Sequence, residues 1–207
     1  MTKVIADISM SLDGYVTAAG VDLEHGLGVG GDALHAWVFS QTPREEAILA
    51  TTFKRSGAVI MGRRTFDIVD GPNGWSDELG YGARQDQSAA PPVFVLTHEA
   101  PEKVRLADRF RFVTDGPANA IRQAKAAAGD KDVVIMGGGS TCYEFLRAGL
   151  VDVMTIHLAP LILGGGTPLF PGDAKVRLEL LESEMTACAQ HLTYRVLADE
   201  RPATERR

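Results

Sequence analysis

Residues 133–141 read Val133-Val134-Ile135-Met136-Gly137-Gly138-Gly139-Ser140-Thr141. The apolar run is typical of a buried strand, and three consecutive glycines at its end allow main chain to approach a ligand closely. Helical composition follows at residues 143–146. Open parallel sheets bind ligands at the carboxyl ends of their strands, so this junction is a candidate site that could hold a pyrophosphate on its amides.

Two further junctions have the same character. One reads Val59-Ile60-Met61-Gly62-Arg63-Arg64-Thr65 and the other Val93-Phe94-Val95-Leu96-Thr97-His98. Arginines at a helix start oppose the helix dipole, which favours an anionic partner such as phosphate. The alternatives are that the glycine cluster is only a tight turn, that the two arginines are a solvated helix start, and that His98 is a surface histidine.

Strands and helices alternate along the first three quarters of the chain, which predicts an α/β fold with a mainly parallel central sheet. The other elements expected there are an opening strand at 4–10, an Asp13-Gly14 turn, an extended segment at 15–17, a helix from Pro43 to about Gly57, a strand at 110–113 and a helix from Pro117. Glycine-rich residues 20–35 predict a long loop without a regular element. Residues 151–158, 176–185 and 189–196 lack intervening helices, so we expect them to add antiparallel strands at one edge.

Composition excludes several classes of protein. A net charge of −6 disfavours a nucleic-acid partner, and no apolar run approaches the length of a membrane span, which predicts a cytoplasmic protein. Cys142 and Cys188 are expected to be ordinary buried thiols. The five histidines show no metal-ligand spacing, so no bound metal is predicted.

The three junctions resemble, in the same order, the NADPH-binding segments of dihydrofolate reductases. The opening Ser9-Met10-Ser11-Leu12-Asp13-Gly14-Tyr15 and residues 151–170 are more similar to the reductase domain of bifunctional riboflavin-biosynthesis deaminase-reductases. The resemblance spans roughly residues 3–198. It implies a dihydrofolate-reductase-like domain at 1–200 with a mixed sheet of about eight strands flanked by helices, and leaves 201–207 as a disordered tail.

The resemblance also implies an NADPH site with roles that carry over by position. Gly62, Arg63, Arg64 and Thr65 would hold adenosine-side phosphates, and Leu96, Thr97 and His98 would meet the ribose 2′-phosphate. Met136 and residues Gly137, Gly138, Gly139, Ser140 and Thr141 would cradle the pyrophosphate, with a Gly-Gly bond that is often cis. Ile8, Ser9 and Thr167 would lie near the nicotinamide.

These residues predict hydride transfer from NADPH to a small, heteroaromatic substrate, pterin-like or ribosylaminopyrimidine-like. Asp13, Tyr15, Trp37 and Phe170 are the candidate substrate wall, and loop 20–37 is a candidate lid. Asp13 could instead close a turn, and Trp37 could belong to the core. A homodimer is possible, because relatives often pair.

Departures from the dihydrofolate reductases leave other functions open. The first helix of those enzymes carries a carboxylate that anchors the substrate. In this chain the matching position lies near Leu49, which has no charge. Glu45 or Glu46 could substitute, although a solvated carboxylate at the helix start is the favoured interpretation. The missing acid motivates an alternative, an NADPH sensor without turnover. A hydrolase using Ser140 is a weaker alternative, since no nucleophile-elbow motif surrounds that serine.

Overall fold

The structure, a computed structural model, describes residues 2–172 and 174–197. The central sheet contains β1 (Val4–Ser11), β3 (Ser56–Gly62), β4 (Val93–Leu96), β5 (Phe110–Val113), β6 (Asp132–Gly137), β7 (Val153–Ala159), β9 (Leu178–Met185) and β10 (Gln190–Val196). Its strand order is β5-β4-β3-β6-β1-β7-β10-β9. Two short strands, β2 (Tyr15–Thr17) and β8 (Thr167–Pro168), pair with each other outside this sheet.

Helices cover both faces of the sheet. They are α1 (Ala36–Phe39), α2 (Pro43–Arg55), α3 (Arg63–Val69), α4 (Pro117–Ala128) and α5 (Gly139–Arg147). Side chains of α4 and α5, such as Ile121 and Phe145, pack with Ile60 on one face. Phe53 of α2 and Phe66 of α3 pack on the other. Strand residues alternate between these two cores, because successive side chains of a strand point to opposite faces.

The predicted fold class is confirmed. Five pairings in the sheet are parallel and two, both made by β10, are antiparallel. The strand predictions at 4–10, 93–96 and 110–113 match β1, β4 and β5, and the helix predicted from Pro117 is α4.

Two expectations were wrong. Residues 151–158 were expected to form an antiparallel strand, but β7 is antiparallel only to β10 and runs parallel to β1, because α5 provides the crossover that a parallel strand needs. The loop at 20–35 ends in a 3-10 helix, Gly31–His35, which continues directly into α1. Leu34 anchors this turn in the core, where it is completely buried.

The topology brings the predicted junctions to one edge. Because β3, β4 and β6 run parallel, Gly62, Leu96 and Gly137 all lie at the carboxyl end of the sheet. In the part of the chain that the structure describes, no helix is both long and apolar enough to cross a bilayer. The tail predicted at 201–207 lies outside the described residues.

Candidate functional site

The ends of β3 and β6 approach each other so closely that a side chain at Gly62 would clash and one at Gly138 would be tightly packed. A Cβ atom added to Gly62 would lie 2.2 Å from Oγ1 of Thr141 at the start of α5. One added to Gly138 would lie 3.2 Å from Oγ1 of Thr65 on α3. The two junctions therefore form one continuous surface. The peptide bond between Gly137 and Gly138 is cis, as the resemblance implies.

The helix starts at this surface carry no side-chain cap. Gly62 and Gly138 are the N-cap residues of α3 and α5, and neither can offer an oxygen to the first amides of its helix. By contrast, the side chain of Thr42 caps α2 by accepting a hydrogen bond from the amide of Glu45. The uncapped amides of α3 and α5 can satisfy their hydrogen-bonding capacity with an anion.

The two arginines after β3 differ in how they are held. Arg63 donates from Nε to Asp67 Oδ1 at 2.8 Å and from Nη1 to the carbonyl of Glu99 at 2.9 Å. Arg64 is exposed, and within the described residues it has no hydrogen bond or ion pair. Arg64 is therefore the guanidinium that can turn to a phosphate without breaking an existing contact.

The β4 junction is joined to the β3 junction through that contact of Arg63 with Glu99. Thr97 is buried, and its hydroxyl donates to the carbonyl of Glu99 at 2.8 Å. The next residue, His98, is exposed. The hydroxyl hydrogen of Thr97 is thus already used in a hydrogen bond within the local turn, whereas the imidazole of His98 is at the surface.

A third contact brings β8 to the glycine cluster. A Cβ atom on Gly139 would lie 2.6 Å from Cγ2 of Val16 and 3.7 Å from Cγ2 of Thr167. The Thr167 hydroxyl accepts a hydrogen bond from the hydroxyl of Thr17 at 2.9 Å. Four of the predicted segments, at 62–65, 96–98, 137–141 and 167, are therefore neighbours, the second of them through Glu99. Ile8 and Ser9 lie on β1, the strand beside β6, and Met136 and Ser140 flank the glycines.

Three of the four residues predicted for the substrate wall, Asp13, Tyr15 and Phe170, do not line the cavity that contains Trp37. Asp13 accepts hydrogen bonds from Ser11 Oγ at 2.6 Å and from the amides of Leu163 and Gly164 at 3.1 and 2.7 Å. The Ser11 bond is the main cause that lowers the pKa of Asp13. These contacts favour the turn-closing alternative for Asp13. Tyr15 pairs with Pro168, and Phe170 is 45% exposed.

Trp37 does line a cavity, of about 810 Å³, between α1, α2 and the loop at 82–85. Its wall is largely apolar and includes Leu49, near which the resemblance places the acid of the dihydrofolate reductases. Glu46 and Arg84 add one carboxylate and one guanidinium to the wall. Trp37 is also buried, with its Nε1 donating to Ser9 Oγ at 2.9 Å, so it links the cavity to β1. The sequence did not predict that residues 82–85 line this cavity, because they lie in a stretch of turn-forming residues that shows neither helix nor strand periodicity.

The prediction of a solvated Glu45 was wrong. Glu45 is 1% exposed, and neither carboxyl oxygen has a hydrogen-bond partner within the described part of the chain. Only Glu46, the next residue, is exposed as expected. Cys142 is buried, as expected, whereas Cys188 is only partly so. Burial and the nearby Glu45 carboxylate raise the pKa of the Cys188 thiol.

Sequence reasoning also missed a largely buried polar cluster on the sheet face below α1 and α2. There His157 of β7 contacts both Asp7 of β1 and His191 of β10. A usable signal was present, since Asp7 and His157 each interrupt an apolar strand. No group of three or more His, Cys, Asp or Glu side chains among the described residues could hold a metal ion.

Comparison with known protein families identifies the family of the chain. The family model for the RibD C-terminal domain matches residues 2–192. The chain belongs to that family. The chain is 22% identical over 184 residues to the uncharacterized protein YyaP of Bacillus subtilis (strain 168), covering 86% of this chain and 85% of YyaP.

Solved structures agree with the assignment. A putative riboflavin biosynthesis protein from Shewanella sp. PV-4 has a TM-score of 0.68 and 25% identity, covering 95% of this chain and 100% of that one. A diaminohydroxyphosphoribosylaminopyrimidine deaminase/5-amino-6-(5-phosphoribosylamino)uracil reductase from Thermotoga maritima has a TM-score of 0.58 and 15% identity, covering 95% of this chain and 57% of that one. The resemblance to riboflavin reductases, within the dihydrofolate-reductase-like superfamily, is thus confirmed at the level of family and fold.

Proposed function

We propose that this chain is an NADPH-dependent reductase that transfers hydride to a small heteroaromatic substrate. The observation that carries the proposal is the contact between the β3 and β6 junctions. Gly62 packs against Thr141 and Gly138 against Thr65, which holds the two junctions together beside the uncapped amides that begin α5. Family membership supports a reductase rather than another enzyme class.

The residues at the strand ends fit a phosphorylated dinucleotide. The amides of Gly139, Ser140 and Thr141 would hold the pyrophosphate, because they begin α5 without a cap. Arg64 would take the ribose 2′-phosphate or an adjacent phosphate, with His98 beside it, and Arg63 would keep the β3 and β4 junctions together. Ile8, Ser9 and Thr167 would flank the nicotinamide. Bound NADPH would supply the hydride.

The cavity beside Trp37 is the place we propose for the substrate. Its apolar wall suits a planar ring, and its few polar groups can fix the orientation of that ring. Most of the rate would come from holding the ring and the cofactor face to face in a space closed to water. Leu49 cannot anchor a pterin by charge, which favours a substrate other than folate.

The remaining expectations belong to the same proposal. The partner is a small molecule and neither a nucleic acid nor a membrane, given the net charge of −6. We also propose that the protein works in the cytoplasm, as a homodimer.

Two measurements test the function. Calorimetry should detect NADPH binding to the purified chain, and NADPH absorbance at about 340 nm should fall with at least one member of a panel of pterins, aminopyrimidines and quinones. The variant Ala50→Trp separates the two sites, because its side chain fills the cavity. It should bind NADPH normally and should not oxidise it. Binding of NADPH without oxidation by any compound would support the sensor alternative, and no binding would refute both.

A further inference from the structure

One wall of the cavity beside Trp37 is a short loop, residues 81–85. Four residues of this loop line the cavity, namely Gly82, Ala83, Arg84 and Gln85. Gly82 and Ala83 both have a positive φ, of 75° and 62°. In the described chain one other non-glycine residue has a positive φ, Gln41 at 55°, and it lines the same cavity. Strained backbone of this kind persists where surrounding contacts impose it, and it concentrates at ligand sites.

A single side-chain amide holds this loop. Gln87 Nε2 donates to the carbonyls of Tyr81, Ala83 and Gln85, at 3.1, 3.3 and 2.7 Å. Since a carbonyl group has no hydrogen to donate, only the NH₂ end of the Gln87 amide can face these three groups. Gly80 leaves the space for this amide, because a Cβ atom there would lie 2.1 Å from Gln87 Oε1. The side chain of Gln87 thus fixes the direction of three of the five loop carbonyls.

Gln87 acts on the substrate cavity without touching it. It borders a separate cavity of about 250 Å³, together with Val93 at the start of β4 and Arg109 just before β5. The larger cavity beside Trp37 does not include Gln87 in its wall. A change at Gln87 can therefore reach a bound substrate only through the loop.

Other contacts anchor the base of the loop. Tyr81 is buried, and its hydroxyl lies 2.8 Å from Ser56 Oγ at the start of β3. Gly80 and Ala83 exchange two backbone hydrogen bonds, at 3.0 and 2.9 Å. These contacts do not involve Gln87, so a variant that lacks the amide should still fold.

The hydrogen bonds within the segment 80–87 decide which polar groups the loop offers to a substrate. Besides the three carbonyls held by Gln87, that of Gly82 accepts from the amide of Gln85 at 3.4 Å. Among the described residues, the amides of Gly82 and Arg84 have no acceptor. The guanidinium of Arg84 is exposed and also lacks a partner in the described chain. The loop therefore presents mainly hydrogen-bond donors.

We propose that Gln87 is a positioning residue that makes the loop a donor-rich wall, and that the substrate ring presents acceptor atoms to this wall, an inference that rests on the proposed function. A ring carbonyl oxygen or an unprotonated ring nitrogen would accept from the amides of Gly82 and Arg84 or from the Arg84 guanidinium. Without Gln87, the loop carbonyls are free to turn toward the cavity, where they would repel the same acceptors. Gln87 then governs both the affinity and the choice of the ring.

The effect on turnover is tested with a panel compound that the wild type reduces. Gln87→Met removes the donor and keeps the length of the side chain. It should raise KM about tenfold and leave kcat and NADPH affinity within about threefold, because the lost interaction serves the bound substrate and the transition state equally. Gln123→Met, the same change at an exposed position of α4, should match the wild type. An unchanged KM in Gln87→Met would overturn the proposal.

The polarity of the wall is tested by binding alone. Calorimetry in the presence of NADP⁺, which has no hydride to donate, compares two aminopyrimidines, one with a ring carbonyl and one with hydrogen in place of that oxygen. The wild type should bind the carbonyl compound about tenfold more tightly, and Gln87→Met should bring this ratio toward one. Equal affinity of the wild type for both compounds would overturn the donor-rich wall.

A second variant and a measurement without ligands separate this proposal from the reductase. Gly80→Ala should raise KM as Gln87→Met does, because its Cβ would displace the Gln87 amide. Hydrogen exchange followed by mass spectrometry should be about tenfold faster across residues 80–87 in both variants than in the wild type and Gln123→Met. Equal exchange in all four proteins would overturn the role of Gln87. A wild-type chain that oxidises NADPH with no compound would refute the reductase, and hydrogen exchange would still decide whether Gln87 holds the loop.

Discussion

The buried His191 should make the free energy of unfolding strongly dependent on pH. Its pKa in the folded chain is about 4, against 6.5 for an ordinary histidine, because burial and the charge of His157 disfavour its protonation. Between these values the unfolded chain binds the proton and the folded chain does not. The contribution to stability is therefore complete above pH 6.5 and is lost as the pH falls toward 4.

The magnitude follows from the size of the shift. Each pKa unit corresponds to about 1.4 kcal/mol, so acidification from pH 6.5 to pH 4.5 should cost about 2–3 kcal/mol through His191 alone. His191→Asn places an amide near the position of Nδ1 and keeps a hydrogen-bonding group for His157, but it cannot titrate. The stability difference between wild type and this variant should shrink by that amount on acidification.

Urea unfolding followed by far-ultraviolet circular dichroism, at several pH values from about 7.5 to 4.5, measures the effect. His98→Asn is the matched control, because it removes an exposed histidine, and its curve should run parallel to that of the wild type. Parallel curves for His191→Asn and the wild type would refute the assignment of a buried neutral imidazole.

Three other substitutions test the site. In calorimetric titrations, Arg64→Ala should weaken the binding of NADPH, relative to that of NADH, about tenfold or more. The loss in Arg63→Ala should be smaller, because Arg63 already donates a hydrogen bond to Asp67. A larger loss in Arg63→Ala than in Arg64→Ala would contradict this assignment. Gly139→Ala should lower the free energy of unfolding in urea by about 1–3 kcal/mol, since its Cβ would meet Val16 at 2.6 Å, and wild-type stability would count against that packing. Cys188→Ser should leave NADPH affinity unchanged, because Cys188 lies on the β9–β10 turn beside Glu45; a large loss of affinity would place the cofactor elsewhere.

The fold was largely predictable because its strands are short apolar runs punctuated by glycine and proline. The strands at Val93–Leu96 and Val133–Met136 could be assigned directly, since each apolar run adjoins turn-forming residues, Pro91-Pro92 before the first and Gly137-Gly138-Gly139 after the second. The direction of β7 was not predictable from local sequence. It depends on α5 crossing the sheet from β6, and residues 151–158 alone carry no signal for parallel or antiparallel pairing.

The site was predictable where residues are adjacent in sequence and obscure where they meet only in space. Gly62 and Gly137–Thr141 are recognisable because each junction is contiguous. His157 and His191 are 34 residues apart, and their contact depends on the β7–β10 register. Glu45 looks solvated in sequence because it begins a helix with other polar residues; only the packing of α2 on the sheet makes it buried.

The central claim is that the ends of β3, β4 and β6 form one groove for a phosphorylated dinucleotide. A crystal structure of the chain grown with NADPH tests it most directly. The account predicts the pyrophosphate against the amides of residues 139–141 and the 2′-phosphate within reach of Arg64. Electron density for the nucleotide on any other surface, away from Gly62 and Gly138, would contradict it.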